Sequence, residues 1–256
     1  MGKIIALMNE KGGVGKSSLT YSCAWRLAEQ KHRVLIIDMD GQMANITYIS
    51  GVFVSDDAKT MNDVLMRNID INNAILAINN SPNDNLFIVP ATAVMADAMT
   101  AAKISKMKKS LKEIKDDFDY IFLDVNPSPD WKHALTLSVL DYVGIIMLPD
   151  VLSLEANMGI IESIEEVQGE VNPYLQVLGL ILNQYDGRMN LSKAVKEKAG
   201  QMASYLNTKV FDTTIRKAVV MGESASDHKG ITGYAPKSEI AGDIVALVNE
   251  MESEVQ

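Results

Sequence analysis

A short apolar run followed by a glycine-rich turn constrains this chain more than any other feature of its sequence. Residues 4–8 (Ile-Ile-Ala-Leu-Met) are typical of a buried strand, and the segment from Ser18 to Gln30 is typical of a helix. Between them stands Glu10-Lys11-Gly12-Gly13-Val14-Gly15-Lys16-Ser17-Ser18. A strand, a turn ending in Gly-Lys-Ser and a helix together predict a phosphate-binding loop, because such a turn directs backbone N–H groups at phosphate oxygens. The positive end of the helix dipole adds to this attraction.

Two lysines and a serine carry the chemistry predicted for this loop. Lys16 would reach the β- and γ-phosphates, and the Ser17 hydroxyl would hold Mg²⁺. The usual motif has glycine at the position of Glu10, and here a second lysine, Lys11, follows that position. Because Lys16 already serves its own loop, we expect Lys11 to serve the nucleotide of a neighbouring subunit. The alternative is that Lys11 is an ordinary solvated loop lysine.

Length and composition indicate a globular α/β protein. A chain of 256 residues with 47% hydrophobic and 22% charged residues predicts one domain over residues 1–256 with a sizeable core. We see neither an apolar run near the roughly 18 residues that span a bilayer nor a secretion signal. The single cysteine, Cys23, falls inside the first helix and is expected to be a small core residue. These features predict a cytoplasmic location.

The charge is unevenly distributed along the chain. A net charge of −9 argues against nonspecific DNA binding by the whole surface. Residues 187–240 nevertheless contain nine basic and five acidic residues, a local balance of +4. Such a region can contact phosphates, although a balance of this size could also be a fluctuation.

Short apolar runs alternate with longer amphipathic segments. The predicted strands are Lys3–Met8, Val34–Asp38, Leu86–Pro90, Tyr120–Val125, Tyr142–Leu148, Val177–Asn183 and, more weakly, Lys209–Phe211. The predicted helices are Ser18–Gln30, Thr60–Met66, Met95–Met99, Ile104–Asp116, Trp131–Leu140, Leu154–Asn172, Leu191–Leu206 and Ser238–Ser253. Near-continuous apolar strands need helices on both faces, so the pattern predicts a doubly wound, mostly parallel sheet of the P-loop NTPase type. The functional site would lie at the carboxyl ends of its strands.

Acidic residues follow two of these predicted strands. The run Val34–Ile37 leads into Asp38 and Asp40, and the run Tyr120–Leu123 leads into Asp124. Mg²⁺ prefers oxygen ligands and keeps several waters, so Ser17 with one or two carboxylates would suffice. We expect Asp124 in the Walker-B position, Asp38 as a direct or water-mediated magnesium residue, and Asp40 as the acid that activates water. Asp38 and Asp40 could instead simply end the strand in a turn.

With the loop and these acids in place, the chain resembles the ParA/MinD group of P-loop ATPases, whose phosphate loop departs from the usual Walker A motif. Within that group it looks most like the ParA/Soj-type DNA-partition ATPases. The segments that carry the resemblance are Lys11–Ser18, Val34–Asp40, Phe118–Asp124, Gly179–Asn183, Tyr185–Asp186 with Arg188, Val210–Phe211 through Arg216 to Ala225, and Tyr234–Ser238.

The resemblance implies an ATP-bound homodimer in which Lys11 crosses the interface. It implies that Lys16 and Ser17 bind phosphate and Mg²⁺, that Asp40 activates water, and that Asn183 reads adenine. The whole set implied to bind ATP is Lys11, Gly12, Gly13, Val14, Gly15, Lys16, Ser17, Ser18 and Asn183. The dimer would bind DNA without sequence preference, and a ParB-like centromere-binding partner would stimulate slow ATP hydrolysis. Plasmid or chromosomal DNA would be segregated in this way, with the protein on the nucleoid when ATP is bound.

Two departures from the group fall next to the predicted acids. Gly41 and Met43 replace residues of the usual Asp-Pro-Gln-Gly sequence, and Asp124 is followed by Val125-Asn126-Pro127 instead of Pro-Pro. A glycine in place of proline is expected to loosen the loop after Asp40. Asp38, Asp40 and Asp124 are all present, so we expect these changes to affect the rate of hydrolysis and the switching between states more than the type of reaction.

A predicted DNA-binding surface draws on the basic region. Among its cations we select Lys196, Arg216 and Lys217 as the contacts with phosphate. Two such regions in a dimer would offset the modest charge of each subunit.

Other ATPases with this loop remain alternatives. A MinD-like protein that positions membrane-bound or protein cargo shares the loop, but the acidic end Asn249–Gln256 would be repelled by anionic lipid, and we expect no membrane binding. A metal-cluster carrier would need more cysteines than Cys23. A small-molecule kinase or ligase would turn over ATP in response to a metabolite.

Overall fold

A sheet of seven strands organises the computed structural model, which describes residues 2–40, 45–92, 101–126 and 131–255. The strands are β1 (Lys3–Met8), β2 (Val34–Asp38), β3 (Leu76–Ala77), β4 (Leu86–Val89), β5 (Tyr120–Asp124), β6 (Tyr142–Met147) and β7 (Gln176–Leu182). Their order across the sheet is β3-β4-β2-β5-β1-β6-β7. Every neighbouring pair is parallel except β3 with β4. The predicted mostly parallel sheet is therefore confirmed, and the short antiparallel strand β3 is an addition.

Helices follow most of the strands. They are α1 (Lys16–Glu29), α2 (Asn45–Ile49), α3 (Met61–Arg67), α4 (Ala101–Ile114), α5 (Trp131–Leu137), α6 (Val151–Glu170), α7 (Asn190–Tyr205), α8 (Val220–Ser226), α9 (Ile231–Tyr234) and α10 (Glu239–Glu254). The predicted helix Met95–Met99 lies outside the described residues. The short helices α2, α8 and α9 were not predicted, because each has too few residues to show a helical hydrophobic period.

Each central strand buries both of its faces. In β1, Ile4, Ala6 and Met8 join the core under α3 to α7, whereas Ile5 and Leu7 join the core under α1, α2, α9 and α10. Alternate side chains of a strand point to opposite faces, so a strand covered on both sides must be apolar throughout. This double burial explains the near-continuous apolar runs of the sequence.

The free edge of β7 is covered by the segment that follows α7. Val210 bridges to Leu180 and Ile215 bridges to Asn183, both in parallel orientation. The weakly predicted strand Lys209–Phe211 is thus reduced to an isolated bridge at Val210. The same segment carries Arg216 past the carboxyl end of β7, where the predicted site lies.

The last helix, α10, uses its apolar face inside the protein. Ile240, Ile244, Leu247 and Met251 are buried in the core that α1 shares. That face is therefore already occupied by the protein's own residues. Within the described ranges, no helix combines the length and the apolarity that crossing a membrane requires.

Candidate nucleotide-binding site

The predicted phosphate loop joins the end of β1 to the start of α1. Gly13 and Gly15 take positive φ angles of 73° and 83°, a region that favours glycine. Gly15 caps the N-terminus of α1, and Lys16, Ser17 and Ser18 form the first turn of that helix. Residues 12–18 therefore combine a tight backbone turn with a helix N-terminus, which is the arrangement that binds phosphate.

Lys16 lies within its own loop. Lys16 is only 6% exposed, and its Nζ donates a hydrogen bond to Lys11 O at 3.3 Å. Burial lowers the pKa of Lys16, while the charges of Asp124 and Asp40 act in the opposite direction. Lys16 therefore interacts electrostatically with both acids, Asp124 and Asp40.

Lys11 has a different environment. Its Nζ lies 3.0 Å from Asp150 Oδ1 and 2.9 Å from Asp150 Oδ2, and both side chains are about one-third exposed. Its backbone N–H donates to Asn9 Oδ1 at 2.6 Å, and Asn9 Nδ2 donates to Ile146 O at 2.6 Å. The backbone before the loop is therefore fixed on β6, and the ammonium of Lys11 lies at the start of α6. Asp150 was not predicted, since it is 139 positions away in sequence.

Asp38 and Asp124 face each other across β2 and β5. They are direct register partners, and both are fully buried. Ser17 Oγ donates to Asp124 Oδ2 at 2.7 Å, whereas Asp124 Oδ1 has no hydrogen-bond partner among the described residues. Burial, and after it the charge of Asp38, raises the pKa of Asp124 to about 7. Burial also raises the pKa of Asp38 to about 6.

This group of oxygens fits a magnesium ion. A buried carboxylate oxygen without a donor, beside a serine hydroxyl and a second carboxylate, needs positive charge to offset its desolvation. The predicted set Ser17, Asp38 and Asp124 is brought together in the structure. The residues that could hold the metal thus lie directly beside the phosphate loop.

The Asp38 carboxylate also organises the chain that follows β2. Its Oδ1 accepts from Asp40 N at 2.8 Å, and its Oδ2 accepts from Thr47 Oγ1 at 2.6 Å and Thr47 N at 3.2 Å. Asp40 is therefore held two residues beyond Asp38 and is itself 5% exposed. Thr47 was not predicted, and a threonine in a short helix gives no signal in one sequence. Gly41, Met43 and Pro127 lie outside the described residues.

Asn183 follows β7 and touches the phosphate loop. Its Nδ2 donates to Val14 O at 2.7 Å, and its backbone N–H donates to Met147 O at 2.8 Å. A cavity of about 210 Å³ opens beside it, and Gly15, Ser18, Arg216 and Lys217 also line that cavity. The structure thus places the predicted adenine-reading residue between the loop and a cavity.

The three residues predicted to bind DNA do not form one cluster. Lys196 is exposed on α7, in the layer opposite α10, and Lys217 is exposed beside the cavity. Arg216 is ion-paired, since its Nε lies 2.7 Å from Asp243 Oδ2 and its Nη1 lies 2.6 Å from Glu239 Oε2. A phosphate would have to displace these carboxylates before it could bind Arg216.

Comparison with known proteins places this geometry in a family. The AAA domain family matches residues 2–177. The sporulation initiation inhibitor protein Soj of Bacillus subtilis is 32% identical over 98% of both chains. The chromosome-partitioning ATPase Soj of Thermus thermophilus is 31% identical over 98% of this chain and 96% of its own.

A solved structure agrees with the fold. The septum site-determining protein MinD from Pyrococcus horikoshii, complexed with Mg-ADP, has a TM-score of 0.78 at 23% identity and covers 98% of this chain and 96% of its own. An identity this low shows the fold alone. The family match and the two relatives, in agreement with the phosphate loop described above, show that the chain belongs to the AAA domain family and, within it, to the ParA/MinD-type P-loop ATPases.

Proposed function

We propose that the chain is a ParA-type partition ATPase that alternates between a monomer and an ATP-bound, DNA-binding homodimer. ATP and Mg²⁺ are its cofactors, and its activity is ATP hydrolysis. The single observation that carries the proposal is the divergence of its two loop lysines. Lys16 is buried in its own loop, whereas Lys11 extends to Asp150 at the protein surface.

An ammonium held outside its own loop can serve a second nucleotide. Lys11 is about one-third exposed, and so is its ion-pair partner Asp150, so a partner's phosphate can compete for the ammonium. Contacts from two copies to one γ-phosphate are available with ATP and lost with ADP. ATP would therefore favour the dimer, and hydrolysis would shift the population back to the monomer.

The remaining site residues divide the work of hydrolysis. Lys16 and the loop N–H groups hold the phosphates, and Ser17 and Asp124 hold Mg²⁺ with Asp38 beside them. When bound, Mg²⁺ neutralises phosphate charge. Asp40 orients the attacking water and accepts its proton. The cavity beside Asn183 receives the adenine base, and the Asn183 amide contributes the polar contact there.

Basic residues around β7 would bind DNA in the dimer. Lys217 is exposed beside the cavity, and Arg216 can join it once it leaves Asp243 and Glu239. Lys196, exposed on α7 in the other layer, would contact DNA separately. A dimer presents these basic residues twice, which raises its affinity for DNA without a new type of contact. Because the contacts are with phosphate, DNA binding should weaken steeply with salt. A ParB-like centromere-binding partner would stimulate hydrolysis and release the DNA. The cargo would be plasmid or chromosomal DNA, and the ATP-bound form would lie on the nucleoid.

Sedimentation velocity with ATP, ADP or no nucleotide tests the proposal, with nucleotide binding measured separately by a fluorescent ATP analogue. We expect the wild type to dimerise with ATP alone. Lys11→Ala should bind the analogue and remain monomeric, and Lys16→Ala should lose both properties. Lys109→Ala, which removes an exposed lysine from α4, is the matched control. A Lys11→Ala protein that dimerises with ATP as the wild type does would contradict the proposal.

A further inference from the structure

We propose that Thr47 is a positioning residue for the magnesium site, acting through Asp38. The inference rests on the proposed function and adds to it a residue in α2. Thr47 is 5% exposed and Asp38 is fully buried, so water cannot replace a lost contact between them easily. The short 2.6 Å bond from Thr47 Oγ1 and the 3.2 Å bond from Thr47 N converge on one oxygen, Asp38 Oδ2.

The direction of the Thr47 hydroxyl proton follows from its neighbours. A hydroxyl has one proton to donate, and a carboxylate oxygen can only accept it. Ala91 N, at the exit of β4, donates to the same Oγ1 at 3.3 Å. The hydroxyl thus accepts from the β4 side and donates to the β2 side. Thr47 thereby links the Asp38 carboxylate, at the end of β2, to the backbone that follows β4.

The hydrogen bonds from Thr47 oppose the electrostatic repulsion between Asp38 and Asp124. Asp38 and Asp124 are buried register partners with like charges, so an unsupported Asp38 would turn away from Asp124. The other Asp38 oxygen accepts from Asp40 N at 2.8 Å. A displaced Asp38 carboxylate would therefore disturb both the metal-binding oxygens and the backbone that carries Asp40. By orienting the Asp38 carboxylate, Thr47 therefore supports both the metal-binding oxygens and the position of Asp40.

Two substitutions separate the hydroxyl from the shape of the side chain. Thr47→Val keeps the shape and the backbone N–H but removes the hydroxyl, and Thr47→Ser keeps the hydroxyl. The measurement is the affinity for fluorescent ADP with and without Mg²⁺. For Thr47→Val we expect the gain in affinity from Mg²⁺ to fall about tenfold, as for other residues that support metal ligands. Affinity without Mg²⁺ should stay unchanged, and Thr47→Ser should restore most of the magnesium effect.

A matched control comes from the same helix. Ser50 Oγ donates to Thr47 O at 2.6 Å but does not touch Asp38, so Ser50→Ala perturbs α2 without altering the carboxylate. Ser50→Ala should keep the magnesium effect even where its melting temperature falls. In an Asp38→Asn background, Thr47→Val should cause little further loss, because the two residues act as a unit.

The possible outcomes separate this inference from the proposed function. A wild-type protein whose ADP affinity does not respond to Mg²⁺ would overturn the proposed function and this inference with it. A responsive wild type together with an equally responsive Thr47→Val protein would overturn only the role of Thr47. Equal losses in Thr47→Val and Ser50→Ala would do the same, because they would show a general effect of α2.

Discussion

Lys11 and Asp150 form an ion pair in which the ammonium lies 2.9–3.0 Å from both carboxylate oxygens. The pair joins the phosphate loop to the start of α6 within one subunit. A partner's phosphate and the Asp150 carboxylate would both attract this one ammonium. The pair therefore competes with the contact that is proposed to hold the dimer together.

Removing the charge of Asp150 should favour dimerisation. Partly exposed ion pairs of this kind contribute about 0.2–1 kcal/mol each, and a symmetric dimer releases two of them. Asp150→Asn should therefore lower the concentration for ATP-dependent dimerisation by roughly two- to thirtyfold. Sedimentation velocity over a concentration series would measure the shift. Asp227→Asn, which breaks the exposed pair with Lys229, is the control and should have no effect. Weaker dimerisation of Asp150→Asn would mean that Asp150 orients Lys11 for the partner.

Asp40→Ala should trap the ATP-bound dimer on DNA. Loss of a general base slows proton transfer by about 10²–10⁴-fold, whereas the backbone bond from Asp40 N to Asp38 does not depend on the side chain. Single-turnover hydrolysis and the lifetime of the DNA complex would be measured together. Asp57→Ala removes an exposed acid as the control. Normal hydrolysis by the Asp40→Ala protein would remove Asp40 from the mechanism.

Asp124→Asn should stabilise the protein without nucleotide while abolishing its response to Mg²⁺. The substitution removes a buried charge that faces Asp38 and whose Oδ1 has no donor among the described residues. We expect a gain of roughly 1–2 kcal/mol in the free energy of unfolding by urea at pH 8. Asp63→Asn should do the opposite, since Asp63 accepts hydrogen bonds from Thr60 at the start of α3. A loss of stability in both variants would contradict the inference that the buried charge of Asp124 destabilises the nucleotide-free protein.

Glu239→Gln should strengthen DNA binding by freeing part of the Arg216 guanidinium. Glu239 is largely exposed, and Asp243 still anchors Arg216 in the variant. Because the effect is electrostatic, affinity should rise about two- to fivefold at low salt and little at high salt. Fluorescence anisotropy with duplex DNA would measure it. Glu254→Gln makes the same change at the other end of α10, where it pairs with Lys209, and should leave DNA affinity unchanged.

Much of the framework could be predicted from local pattern. The bounds of β1 and β2 match their predictions, because strands buried on both faces appear as uninterrupted apolar runs. The proximity of Ser17, Asp38 and Asp124 could also be predicted, since acids at the ends of parallel strands gather at one edge. The short strand β3 and the helices α2, α8 and α9 were missed, because segments this short show no clear hydrophobic period.

The side-chain partners of the predicted site residues could not be predicted from the sequence. Lys11 meets Asp150 and Asp38 meets Thr47 only because the fold brings distant or unpatterned residues together. The pairing of Arg216 with Asp243 and Glu239 has the same origin, and net charge along the sequence cannot reveal which cations are neutralised. Charge counting therefore indicated a basic region but not which of its residues is free to bind phosphate.

Binding to nonspecific duplex DNA tests most directly whether ATP switches this chain onto DNA. It should be measured without nucleotide and with ADP, ATP and a slowly hydrolysed ATP analogue, each at two salt concentrations. We predict binding with ATP or the analogue alone, and its loss at high salt. Absence of binding in every nucleotide state would contradict the partition function and favour an ATPase that positions a protein or membrane cargo, which liposome pelleting with ATP would then examine.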